Sequence, residues 1–201
     1  MKTTKFEDRD EWLEARKTKI TGSRLKDIVV LRGNEKKIGF WELLAERLQI
    51  KDGQNENPMQ RGTDLESEAI MAFEEHEGKK VNTDLVIWTR EDNESIAISP
   101  DGFIGETEAV ECKCLASSRH LEAYFTNKIP KDYWFQVLQY FIVNEKLELL
   151  HFVMYDPRIP QKPYFKFTVD RSEVAEEVEQ YLEYQRKVLE EVNSLANQLS
   201  F

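Results

Sequence analysis

Residues 109–115 read Ala-Val-Glu-Cys-Lys-Cys-Leu, and this alternation constrains the fold more than any other stretch of the chain. In an extended strand, side chains two residues apart share a face. Ala109, Glu111 and Lys113 therefore lie on one side and Val110, Cys112 and Cys114 on the other, and the second side has the composition of a core. A carboxylate and an ammonium in the middle of an otherwise buried strand are costly to desolvate unless they serve a purpose. Two readings stand at this point: a structural Glu–Lys pair at a sheet edge, or part of a reactive site.

The rest of the chain supplies the layers such a strand needs. Residues 39–50 carry Phe40, Leu43, Leu44 and Leu48 at helical spacing, and residues 62–76 are helical after a polar loop at 51–60. Residues 84–90 are apolar and β-prone, and 94–99 alternate, with Glu91-Asp92-Asn93 as the turn of a hairpin. Residues 99–105 are rich in turn formers. The stretch 131–144 is apolar nearly all round, which predicts a buried helix. Strands are expected at 149–156 and 164–170, followed by a long amphipathic C-terminal helix (171–201). That helix carries Val174, Val178, Tyr181, Leu182, Gln185, Leu189, Val192 and Leu199 down one side, which we assign to the core rather than to a subunit interface. Asp170 and Glu173 resemble a capping box at its start. The order ααβββαββα predicts an α/β fold with a mixed central sheet flanked by helices, in a single domain spanning residues 1–201.

Upstream of the alternating strand stands Ser99-Pro100-Asp101-Gly102. Pro100 fixes the backbone before Asp101, and Gly102 is expected to let the chain turn after it, bringing Asp101 beside Glu111. Two carboxylates converging on one point make a hard-oxygen site suited to Mg²⁺, with Mn²⁺ as a substitute. Lys113 beside them is placed to hold a water or to stabilise transition-state charge. A third carboxylate points the same way. Taking about 100° per residue along helix 62–76, Ile70 falls about +40° from Glu66, Phe73 about −20° and Ala69 about −60°. Glu66 thus sits in the apolar stripe, whereas Glu68 and Glu75 lie on the solvent face. In the apolar helix, Gln136 and Gln139 are flanked by Tyr133 and Tyr140, and their amides need partners in a core strand, a water or a DNA backbone.

Bulk properties narrow the alternatives. Lys and Arg number 28 against 38 Asp and Glu, a net charge of −10. A nucleic-acid partner needs a basic surface. The charge is polarised, with Arg16, Lys17, Lys19, Arg24 and Lys26 in one stretch and seven glutamates between Glu173 and Glu191. The two cysteines are too few for a four-cysteine iron–sulfur cluster and are expected to be small buried hydrophobes. His76, His120 and His151 have no zinc-ligand spacing, so structural or surface roles are expected. No run is long and apolar enough to span a membrane, and the opening residues carry no secretory core segment, so a cytoplasmic protein is expected.

At these residues the chain resembles the phage-type recombination exonucleases, the lambda exonuclease and YqaJ-like branch of the PD-(D/E)XK nucleases. The resemblance lies in blocks that match in order. They are Arg16 with Ile20-Thr21-Gly22-Ser23, Gly62 through Glu66 to Ala69, Ser99-Pro100-Asp101-Gly102, Glu111-Cys112-Lys113-Cys114, Tyr133 through Gln136 to Tyr140, and Tyr155-Asp156-Pro157-Arg158. It implies a restriction-endonuclease-like core and 5′-to-3′ digestion of one strand at double-stranded DNA ends. It further implies a homotrimeric ring around the DNA and a single-strand annealing protein as partner. On that pattern Asp101 and Glu111 bind Mg²⁺ with Glu66 assisting and the Cys112 backbone carbonyl as a further ligand. Lys113 serves the attacking water, and Gln136 belongs to the same active-site motif. Arg16 matches an arginine that meets the 5′-phosphate, and Ser23 lies in the same entry motif. Gln139 is assigned to DNA, although it stands one place beyond the second glutamine expected there. A RecB-type or restriction-type nuclease and a non-catalytic DNA-end-binding protein are the competing readings.

Overall fold

A computed structural model describes residues 35–48 and 58–199. The basic stretch 16–26, with Arg16 and Ser23, and most of the polar loop 51–60 lie outside the described residues. The chain runs α1 (Ile38–Arg47), α2 (Pro58–Glu77), β1 (Trp88–Thr89), β2 (Ala97–Ile98), β3 (Gly102–Ile104), β4 (Glu108–Lys113) and α3 (Ser117–Thr126). A 3-10 turn (Lys131–Tyr133) then leads into α4 (Trp134–Val143), β5 (Leu149–Tyr155), β6 (Tyr164–Asp170) and α5 (Arg171–Leu199).

The main sheet has four strands in the order β3-β4-β5-β6. β3 and β4 form an antiparallel hairpin, β4 and β5 are parallel with Glu111 level with Phe152, and β5 and β6 are antiparallel. A parallel neighbour requires a crossover, and α3, the 3-10 turn and α4 provide it. The alternation of β4 is realised as the sequence predicts. Val110, Cys112 and Cys114 pack with Ala69, Ile70 and Phe73 of α2. On the opposite face Ala109 packs with Val137, Leu138, Tyr140 and Phe141 of α4. Val174 of α5 is buried in this second cluster, with Val178, Tyr181, Leu182 and Leu189 packed against it, so this part of the helix is core as expected. Both cysteines are buried, also as expected. The result is a mixed sheet between α2 on one side and α4 with α5 on the other. No helix among the described residues is long and apolar enough to cross a membrane.

Three elements differ from the sequence reading. The apolar segment 84–90 pairs only at Trp88 and Thr89, and Leu85 and Ile87 are exposed. The turn-rich segment 99–105 contains β3, because Gly102 is not there to turn the chain. A Cβ on Gly102 would lie 2.4 Å from Val81 Cγ1, so the glycine permits close packing of a strand. Helix α3 was not expected at all. Its N-cap is Ala116, with no side-chain capping bond, and its buried face includes Ser117, Ser118 and His120 beside Leu121 and Ala123. Neither the start signal nor the apolar stripe of an ordinary helix is present. Its end is conventional: Asn127 closes it in the left-handed region at φ 51°.

Candidate active site

The β3–β4 hairpin sets the first two groups. Gly102 is level with Val110, and one step further along that antiparallel register Asp101 stands opposite Glu111. The next position on the outgoing arm is Pro100, which has no N–H to offer the sheet. The Asp101 side chain satisfies the exposed edge instead, accepting the Cys112 N–H through Oδ2 at 2.8 Å. The sequence expectation that Asp101 comes beside Glu111 is met by the β3–β4 hairpin, with Asp101 at the bend that leads into β3.

Glu111 is 1% exposed, and its carboxylate is held on every side. Oε1 accepts from Lys113 Nζ and from Gln136 Nε2, the latter at 2.6 Å. Oε2 accepts from the Tyr140 hydroxyl at 2.5 Å. Gln136 and Tyr140 are one helical turn apart on α4, so the face of α4 that covers the sheet delivers both donors to the same carboxylate. The sequence places Tyr140 in the matching block but assigns it no role, because a tyrosine in an apolar helix looks like core until the group opposite its hydroxyl is known. The Lys113 ammonium also lies over the Tyr133 ring, 5.0 Å from its centroid.

Electrostatics distinguish this cluster from a surface ion pair. Burial raises the Glu111 carboxyl above its ordinary range, and the Asp101 charge adds to this against the opposing effects of Lys113 and Tyr140. Asp101 is raised chiefly by burial, opposed by the Cys112 N–H and the Lys113 charge. Glu66 on α2 is raised by burial and then by Asp101, and Lys113 opposes, which puts its carboxylate within electrostatic reach of both. For Lys113, burial favours the neutral amine, but the charge and hydrogen bond of Glu111 and the charge of Asp101 outweigh it and keep the ammonium above the ordinary lysine value. Burial and the Glu111 charge push the Tyr140 phenol well up, so it remains a donor.

Among the described residues the cluster is short of positive charge: the Lys113 ammonium faces Asp101, Glu111 and Glu66, and each of the three carboxylates is held above its ordinary range. Asp101 Oδ1 and both oxygens of Glu66 accept no hydrogen bond among the described residues. Among the described residues no group of three or more His, Cys, Asp and Glu side chains is close enough to hold a metal ion between them. The donor set nevertheless fits a hard cation that takes few protein ligands and keeps waters, which is how Mg²⁺ is ordinarily held.

Other expected site residues fare differently. Gln139 is not brought to this cluster: its amide donates to the Ala97 carbonyl at 3.1 Å and exchanges hydrogen bonds with Gln185 of α5. The histidines keep structural roles. His76 stacks on Tyr164, His120 bonds the Lys162 carbonyl, and His151 lies between Glu108 and Thr168. In the Tyr155–Arg158 block the buried Asp156 accepts from Arg158 and from Ser117 at the start of α3.

A mixed sheet with an Asp at a hairpin mouth and Glu-x-Lys on the adjoining strand defines the restriction-endonuclease-like class of fold, with its PD-(D/E)XK core. Within it, residues 11–146 match the YqaJ-like viral recombinase domain, so the chain belongs to that family. Two crystal structures of LHK-Exo, an alkaline exonuclease from Laribacter hongkongensis, are similar to it, one of them in complex with dAMP. Each matches at 28% identity over 95% of this chain and 100% of that chain, with TM-scores of 0.56 and 0.57. No similar sequence is found among curated proteins. The resemblance to phage-type recombination exonucleases read from the sequence therefore holds at the level of family and fold.

Proposed function

We propose that this chain is a metal-dependent exodeoxyribonuclease that hydrolyses phosphodiesters at the ends of linear duplex DNA. It digests one strand 5′-to-3′ and leaves a 3′ single-stranded overhang for recombination. The observation that carries this reading is the buried Glu111 carboxylate, held by Lys113, Gln136 and Tyr140, with Asp101 at the mouth of the adjoining hairpin and bonded to the Cys112 N–H. Membership of a viral recombinase family supports DNA ends as the substrate.

Asp101 and Glu111, with Glu66 and the Cys112 carbonyl, would hold Mg²⁺, with Mn²⁺ as a substitute. When bound, such an ion neutralises phosphate charge and acidifies a water. The chain's own groups do the rest. Lys113 keeps its proton beside Glu111 and donates to the attacking water or to the phosphate oxygens as negative charge builds on them. Gln136 and Tyr140 hold the two oxygens of Glu111 so that the carboxylate keeps one orientation. Arg16, with Ser23 in the same motif, meets the 5′-phosphate. The whole chain acts as one nuclease domain, with residues 171–201 as its C-terminal helix. It works as a ring of three copies in the cytoplasm of a bacterial or phage-infected cell, alongside a single-strand annealing protein.

The test is incubation with linear duplex DNA bearing one 5′-phosphorylated end, in Mg²⁺ or in EDTA, beside a nicked circle with no free duplex end. The expected result is loss of only the 5′-phosphorylated strand, only in Mg²⁺, with the circle intact. The Lys113→Ala variant should retain DNA binding and lose cleavage. Digestion in EDTA, cutting of the circle, or undiminished cleavage by Lys113→Ala overturns the proposal.

A further inference from the structure

We propose that Tyr133 is a positioning residue that fixes the Lys113 ammonium with the face of its ring. The Lys113 Nζ lies 5.0 Å from the ring centroid, inside the range of about 6 Å over which a cation and an aromatic face attract. The ring is itself anchored. Tyr133 ends the 3-10 turn Lys131–Tyr133, and its N–H donates to the Pro130 carbonyl at 2.9 Å. Its ring packs on Phe152, centroid to centroid at 6.0 Å. Phe152 is fully buried on β5 and level with Glu111 of β4. The sheet therefore backs the ring, and the ring backs the lysine.

The chemistry explains why an aromatic face suits this place. A lysine side chain is long and flexible, and Glu111 alone fixes its ammonium along one direction. A second carboxylate would fix it further but would add negative charge to a site that already holds Asp101, Glu111 and Glu66. A ring face attracts the cation through its quadrupole, adds no net charge, and takes up no N–H in a directed bond. The N–H groups not engaged by Glu111 then remain available to a water or a phosphate oxygen.

This role rests on the reading of Lys113 as the group that serves the hydrolysis. The test compares Tyr133→Leu, Tyr133→Phe and Lys113→Ala with wild type on 5′-phosphorylated linear duplex in Mg²⁺, alongside the Lys113 ε-methylene proton shifts in the metal-free full-length chain. Tyr133→Leu should lower kcat about tenfold with KM unchanged, and Tyr133→Phe should restore it to within about twofold of wild type. In wild type and Tyr133→Phe the ring current should move the Lys113 ε-methylene protons upfield of the other lysines, and in Tyr133→Leu they should return among them. Wild-type kcat in Tyr133→Leu, or an equal loss in Tyr133→Phe, overturns the role. Should Tyr133→Leu fail to fold, absence of the upfield shift in wild type overturns it instead. A fully active Lys113→Ala defeats the functional reading itself, whereas an inactive Lys113→Ala beside a fully active Tyr133→Leu defeats only the role of the ring.

Discussion

Replacing Gly102 with alanine tests how tightly the fold holds the candidate site. The new Cβ would meet Val81 Cγ1 at 2.4 Å, Ile70 Cδ1 at 3.4 Å and the Asn82 carbonyl at 3.5 Å. Carbon atoms in contact sit about 3.5–4 Å apart, so Val81 must retreat by roughly 1 Å. It has little freedom to do so, because the next residue, Asn82, is tied to Phe103 by reciprocal backbone bonds of 2.8 and 3.0 Å. Overpacking of this kind costs about 1–3 kcal/mol. For a chain of this size that corresponds to a Tm lower by roughly 2–12 °C. Asp101 precedes Gly102 directly, so hydrolysis should fall along with stability. Calorimetry and a nuclease assay on a double-mutant cycle with Val81→Ala decide the matter, because removing Cγ1 makes room for the added methyl. The double variant should be more stable than the sum of the single losses predicts. A wild-type Tm for Gly102→Ala, or strict additivity in the cycle, refutes the close-packing explanation of this glycine.

Asp92 is held down to about 2, first by the Arg90 hydrogen bond and then by Arg186. A carboxyl lowered in the folded state stabilises it fully above the ordinary value of 3.8 and ceases to do so as pH falls through about 2. The Tm deficit of Asp92→Asn should therefore be present near neutrality and close between these values, and a deficit that persists unchanged at pH 2 contradicts the ion pair. Mg²⁺ at one hundred times its dissociation constant should stabilise the wild-type protein by about 2.7 kcal/mol, or roughly 5–11 °C. Asp101→Asn should abolish that shift, and an equal shift in the variant would remove Asp101 from the cation site.

The parts of the molecule legible in its sequence are those where one period dominates. Val110, Cys112 and Cys114 against Ala109, Glu111 and Lys113 gave both faces of β4. The stripe of Ala69, Ile70 and Phe73 gave the buried side of α2, with Glu66 in it. Helix α3 stayed hidden because its polar residues are inside. Ser117 is buried against Asp156, and no capping residue marks where the helix begins. Leu85 and Ile87 misled in the opposite sense, since their apolar pattern suits a strand but they lie exposed beside a two-stranded ribbon. In the site, the spacing of Asp101 and Glu111 was informative because a tight hairpin joins them. Gln136 and Gln139 look alike in sequence, yet about 60° of helical rotation sends one to Glu111 and the other to Ala97 and Gln185. Only the partner across the gap assigns an amide.

The charge on α5 also bears on how a polyanion can approach. Val174, Val178 and Leu182 turn one side of this helix to the core, while Glu173, Glu176, Glu179, Glu183 and Glu190 are exposed. At physiological ionic strength their field reaches about 8 Å into solvent. A phosphate backbone that approaches this flank meets like charge, so the face disfavours contact with a polyanion.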